Sequence, residues 1–230
     1  LRDAKKLHLV PSVSGIIGQL DKPQLTRWKL GQLMDAIKYM VYETGVHGHS
    51  EEVLERKLWE EYKKQTEKYS ITGTAIHDAL EQYFKTGVKA EKYEYIIEQV
   101  RDTIAILVHS YSNIKLIAEE SFTNETGYGG KIDLIIQTDQ GRIILDFKTK
   151  QGENLEGMVY DDYCTQLAAY AFNYENVMMC GNLLISATHD VKPHLHIWDN
   201  EAILKGMQKF KHLLEYWKLA NNHDTSFRRE

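Results

Sequence analysis

Asp133, Asp146 and Lys148 are the residues of this chain whose types and spacing could do chemistry. The stretch GRIILDFKTK, residues 141–150, has the apolar run of a buried strand but carries an acid and a base on alternate positions near its end. Strand side chains alternate between faces, so Ile144, Asp146 and Lys148 share one face and Ile143, Leu145 and Phe147 the other. In the preceding KIDLII, residues 131–136, Lys131, Asp133 and Ile135 stand on one face and Ile132, Leu134 and Ile136 on the other. QTDQGR between them reads as a hairpin turn, which brings Asp133 and Asp146 to one face of adjacent antiparallel strands. Two carboxylates that close repel unless a proton or a cation lies between them. Oxygen ligands with an open, hydrated position suit Mg²⁺ or Mn²⁺. A lysine beside such an ion can hold a phosphate oxygen or the attacking water, and together these make a phosphodiester hydrolysis site. A structural Asp–Lys ion pair is the better reading of D-x-K taken alone. Asp133, arriving across the hairpin behind the pair Gly129–Gly130, shifts the balance toward a site, because paired glycines let backbone or ligand approach closely.

The surrounding segments must position these groups. After PSVSGII, residues 22–42 carry apolar residues at helical spacing: Leu25, Trp28, Leu33, Ile37 and Met40. TGVHGHS, residues 44–50, breaks that pattern as a loop. Residues 51–69 read as one charged amphipathic helix and TGTAIHDALEQYFKTG, residues 72–87, as another, closed by Gly87. Residues 92–111 form a third. Strands follow at 115–123, 128–138 and 142–148, then a helix at 161–174, strands at 177–188 and 194–198, and a closing helix at 201–220. This order predicts an α/β fold, a mixed central β-sheet flanked by helices, with an N-terminal helical region.

Composition narrows the class. The chain has 230 residues, 43% of them hydrophobic, enough for one sizeable core. No apolar run is long enough for a membrane helix. Cys164 and Cys180 are the only cysteines, too few for a disulfide framework or a four-cysteine metal site, which suits an intracellular, reducing setting. The chain begins at Leu1 rather than methionine, so a removed targeting peptide stays open as an organelle alternative. Net charge is −5, unlike a non-specific DNA coat protein. It does not exclude nucleic acid, since a carboxylate site is acidic until its cation is bound.

The stretch GYGGKIDLII…GRIILDFKTK resembles the core motif of the PD-(D/E)xK nuclease superfamily, in its RecB-like branch. Gly130 to Asp133 stands where that branch has G-x-x-D, and Asp146-Phe147-Lys148 where it has D-x-K. GTAIH, residues 73–77, resembles the upstream G-x-x-x-H helix, and QLAAY, residues 166–170, the downstream Q-x-x-x-Y helix. More loosely, PSVSGIIGQLDKPQLTRW and AEESFTNETGYGG are similar to phage exonucleases of this branch and to the mitochondrial genome maintenance exonuclease. Ile132 replaces the superfamily's nominal proline, as is usual in the RecB-like branch.

The resemblance implies a restriction-endonuclease-like core over residues 71–230 and roles for single positions. Asp133, Asp146 and the main-chain carbonyl of Phe147 would hold Mg²⁺ or Mn²⁺, with His77 as a further ligand. Lys148 would orient water and stabilise phosphate charge; Gln166 and Tyr170, four apart on one helix face, would contact Lys148 and the phosphate. Glu119 would complete the site, with Glu120 as the alternative because strand register is not legible in sequence. The bland readings are a His77–Glu81 surface contact, ordinary half-buried Gln166 and Tyr170, a solvated Glu119–Glu120 pair and a packing role for Cys164. Iron–sulfur members of the branch use four cysteines, so no cluster is expected. No Walker A sequence is present.

The substrate implied is DNA, preferably single-stranded, cut by an exonuclease that leaves 5′-phosphate and 3′-hydroxyl ends during phage or organelle replication, recombination or degradation, beside replication or recombination proteins. A structure-specific endonuclease and a non-catalytic nucleic-acid-binding module are the alternatives. Arg27, Trp28 and Lys29 form a basic-aromatic patch suited to a single strand, weighed equally against a core tryptophan among solvated lysines. Residues 1–230 are expected to form a single nuclease domain, in which the helical region 1–70 arches over the site. Deleting residues 44–50 is then expected to hurt end-dependent cutting more than metal binding. Activity is expected to rise from acid to mildly alkaline pH as His77 loses its proton.

Overall fold

The computed structural model describes residues 9–44 and 49–223. The His47-Gly48 part of the expected loop lies outside the described residues. The chain divides into two compact units, Leu20–Ala75 and a larger one of Leu1–Gln19 with Ile76–Glu230. The helices are α1 (Val13–Ile17), α2 (Pro23–Tyr39), α3 (Glu51–Thr86), α4 (Glu94–Val108), α5 (Asp161–Ala171) and α6 (Asn200–Asn221).

The larger unit is built on a five-stranded mixed sheet. Its strands are β1 (Lys115–Asn124), β2 (Tyr128–Gln137), β3 (Arg142–Lys150), β4 (Val177–Ser186) and β5 (His194–Trp198), lying side by side in chain order. Neighbours are antiparallel except β3 and β4. A parallel pair needs a crossover, and α5 makes it. The fold class is as the sequence predicts, with each strand end within two residues of its expected place.

One face of the sheet carries Leu134, Ile136, Ile143, Leu145, Phe147, Leu183 and Ile185. They pack with Ile76, Ala79 and Leu80 of α3 and Ile97, Val100 and Ile104 of α4. Each Val, Leu, Ile or Phe among them contributes roughly 1.5–3 kcal/mol on full burial. The opposite face meets α5 and α6. There the buried Tyr128 hydroxyl donates to Ala169 O at 3.1 Å, and its ring meets Phe210 edge-on at 4.8 Å. α5 and α6 approach closely because Gly206 lies against Ala168 and Cys164. Lys209 adds a bond to Asp161 at 2.7 Å.

Two segments differ from the sequence reading. The expected break between residues 69 and 72 is absent, and α3 is one continuous helix of 36 residues. Thr72 Oγ1 returns a hydrogen bond to Lys68 O at 2.9 Å, keeping its polar group inside the helix. Gly73 costs a helix about 1 kcal/mol but does not end it. PSVSGII, read only as an opening, contains α1, capped by Ser12 accepting from Gly15 N at 3.0 Å.

Candidate active site

The site forms where β2 and β3 part. Their ladder runs from Gln137↔Arg142 to Leu134↔Leu145 and pairs no further. Beyond it, the Asp133 side chain replaces the backbone as partner, and its Oδ2 accepts the Phe147 N–H at 2.6 Å. In a regular strand the N–H and C=O of one residue point to the same neighbour, so the Phe147 carbonyl is directed toward the same fork.

Asp146 is the hub. It is only 3% exposed, and its two oxygens accept from three side chains. Gln166 Nε2 donates to Oδ1 at 2.9 Å; Asn182 Nδ2 donates to Oδ2 at 2.9 Å; Lys148 Nζ lies 2.8 Å from Oδ2. Gln166 Oε1 in turn accepts from Lys148 Nζ at 2.9 Å, and its Nε2 also reaches the Tyr170 hydroxyl at 2.7 Å. Helix geometry explains the pairing, since residues four apart share a face. Asp161 and Asp162 in the first turn of α5 complement its dipole.

His77, on α3, faces this carboxylate pair. Its Nδ1 lies 3.6 Å from Asp133 Oδ1. Burial works against its charge, but Asp133 and Asp146 outweigh burial and raise its pKa above the ordinary histidine value. Burial also raises the pKa of Asp146; Lys148 opposes that and the Asp133 charge adds to it. The alternative His77–Glu81 contact is not the one seen: Glu81 pairs with Lys85 at 2.5 Å.

These groups line one cavity of about 510 Å³. His77, Asp133, Asp146, Lys148, Gln166 and Tyr170 all contribute to its wall. Gly130 is needed there, because a Cβ would stand 2.9 Å from Tyr170 Cε1 and 3.0 Å from Phe122 Cε1. Glu119 and Glu120 are not among the lining residues. Glu119 takes a left-handed backbone, φ 57°, and turns its nearly buried carboxylate to Lys131. Glu120 is exposed, on the side of Tyr174. Arg27, Trp28 and Lys29 belong to the other compact unit. There Trp28 is half-buried against Tyr69, ring centroids 5.9 Å apart, between exposed Arg27 and Lys29.

Sequence reasoning missed five contributors. Asn182 has no exposed surface and holds Asp146; Trp198 Nε1 donates to Asn182 Oδ1 at 2.8 Å; and Pro11, Ser12 and Ser14 wall the cavity. Asn182, a buried amide in the apolar strand NLLIS, was the available signal. Burial pushes the Cys164 thiol up to about 11 and that of Cys180 to about 12, which fits packing rather than reactivity.

The residues fit a hard divalent cation. Two carboxylates, a carbonyl and an imidazole supply the donor chemistry, and the mutual repulsion of Asp133 and Asp146 is what a cation relieves. Among the described residues no three His, Cys, Asp or Glu side chains converge into a cage.

A strand fork with two carboxylates, a lysine and a helix-borne glutamine has the groups that metal-assisted phosphodiester hydrolysis can use. The chain belongs to the PD-(D/E)XK nuclease superfamily, whose family model matches residues 21–181. No curated protein matches it. Among solved structures it is similar to a protein named SSO0001, at 14% identity over 61% of this chain and 85% of that one, TM-score 0.30. It is also similar to a candidate exonuclease from Eubacterium rectale, at 13% identity over 66% of this chain and 68% of that one, TM-score 0.40. No helix among the described residues is long and apolar enough to cross a membrane.

Proposed function

We propose that this chain is a divalent-metal-dependent DNA exonuclease that prefers single strands and leaves 5′-phosphate and 3′-hydroxyl ends. The observation that carries the reading is Lys148 Nζ, 2.8 Å from Asp146 and 2.9 Å from Gln166, in a cavity that also holds Asp133. Asp133, Asp146 and the Phe147 carbonyl would hold Mg²⁺ or Mn²⁺ beside His77. Glu119 would join only by exchanging away from Lys131. The bound cation would supply positive charge against the phosphate being cut.

The chain's own groups do the rest. Lys148, held from two sides, presents an ammonium that can donate to a non-bridging phosphate oxygen or orient water toward phosphorus. Gln166 fixes Lys148 and Asp146 relative to each other. Tyr170 offers a hydroxyl at the cavity wall, its pKa raised by burial so that it remains a donor. Arg27, Trp28 and Lys29 would contribute stacking and phosphate contacts to a single strand. The preference for ends rests on the resemblance of PSVSGIIGQLDKPQLTRW and AEESFTNETGYGG to phage exonucleases. A role in DNA replication, recombination or degradation follows from it.

The test uses end-labelled single-stranded DNA, the same oligonucleotide with both ends blocked, and a duplex, each with Mg²⁺, Mn²⁺ or EDTA. Metal-dependent loss of the open strand alone, absent in Lys148→Ala, is the expected result. Cutting of the blocked strand would make the enzyme an endonuclease. Binding without cutting would make it a nucleic-acid-binding module.

A further inference from the structure

Asp146 is gripped from two sides with different consequences. Gln166 and Lys148 reach it from the cavity they line, whereas Asn182 is absent from the cavity wall and has no exposed surface. Asn182 stands directly beside Asp146 in the parallel β3–β4 register. Gln166 and Lys148 are the Asp146 partners that a cation bound in the cavity would displace, whereas the Asn182 contact lies behind the wall.

The Asn182 contact works in only one orientation of the amide. Nδ2 must face Asp146 Oδ2; the flipped amide would set a carbonyl oxygen against a carboxylate. Trp198 chooses between the two. Its Nε1–H is a donor only and meets Asn182 Oδ1 at 2.8 Å, so the flipped amide would also oppose donor to donor. Trp198 is half-buried on β5, paired across from Cys180, with His196 packed edge-on at 4.4 Å.

We infer that Trp198 is a positioning residue of the metal site: acting through the Asn182 amide, it locks the Asp146 carboxylate by Oδ2, so that Oδ1, held by the cavity-lining Gln166, is presented to the place where the cation would bind. The inference rests on the metal-dependent reading above. Partners behind metal ligands typically change affinity or activity by about 10–100-fold.

The test is calorimetric titration of Mn²⁺ into wild type, Trp198→Phe, Asn182→Leu and the double variant, with thermal melting in EDTA beside it. Trp198→Phe keeps an aromatic ring and removes the donor, and melting in EDTA reports the cost of the lost indole volume. The expected result is about 10–100-fold weaker Mn²⁺ binding in each single variant. The double variant should be no weaker than Asn182→Leu alone, because Trp198 acts only through Asn182. DNA cleavage by Trp198→Phe should recover at saturating Mn²⁺. Unchanged Mn²⁺ affinity in Trp198→Phe beside a binding wild type would overturn this inference alone. So would independent, multiplicative losses in the double variant. Absence of Mn²⁺ binding by wild type would remove the metal reading itself, and this inference with it.

Discussion

Asp133 Oδ2 accepts the Phe147 N–H at 2.6 Å, so a side chain takes over the β2–β3 ladder where the backbone pairing stops. The substitution of side chain for main chain opens the fork and commits Asp133 to the site rather than to solvent. The consequences can be measured.

Lys148→Ala removes the ammonium shared by Asp146 and Gln166. Cleavage of single-stranded DNA is expected to fall by about 10²–10³-fold, the usual loss when one charge-stabilising donor is removed. Mn²⁺ binding measured by calorimetry should persist. A variant that cuts at the wild-type rate would put the catalytic ammonium elsewhere.

Asp146→Asn brings an amide nitrogen among three donors: Gln166 Nε2, Asn182 Nδ2 and Lys148 Nζ. At least one of them loses its acceptor in a buried place. The expected destabilisation is about 1–3 kcal/mol, read from denaturant unfolding in EDTA, together with loss of Mn²⁺ binding. Unaltered stability would mean that the donors relax to water.

Gly130→Ala and Gly31→Ala should have opposite signs. A Cβ at Gly130 would meet Tyr170 at 2.9 Å, so overpacking is expected to cost about 1–3 kcal/mol and to lower activity by displacing Tyr170. A Cβ at Gly31, inside α2, meets nothing within 4 Å, and alanine there should stabilise by roughly 0.5–1 kcal/mol. Equal effects would contradict the packing described at Tyr170.

Protons and the cation should compete. The folded chain without metal raises the pKa of both His77 and Asp146 and so holds protons at these two groups more tightly than the unfolded chain does. The His77 contribution is fully present below its unfolded pKa and is lost as pH rises through the raised folded value. For Asp146, stability likewise falls as pH rises from the ordinary aspartate range through its raised value. A divalent ion replaces those protons. Stabilisation by Mn²⁺ should therefore grow from pH 6 to pH 8, measured as the shift in Tm between Mn²⁺ and EDTA. A shift that shrinks with pH would contradict a site made of these two groups.

The sequence alone determined the strand segments and the facing of Asp133 and Asp146, because side-chain alternation and the hairpin turn are local. It also determined that Gln166 and Tyr170 share a helix face, since that follows from spacing. Tertiary structure decided the rest. The contact of His77 with Asp133 depends on where α3 lies against the sheet, not on the nearer Glu81. The fate of Glu119 depends on a left-handed backbone in β1 that breaks the alternation the sequence suggests and turns it to Lys131. Asn182 and Trp198 reach Asp146 only through the pairings of β3 with β4 and β4 with β5. Those registers are set by which apolar faces bury together across the whole sheet, a choice that no short stretch of sequence contains.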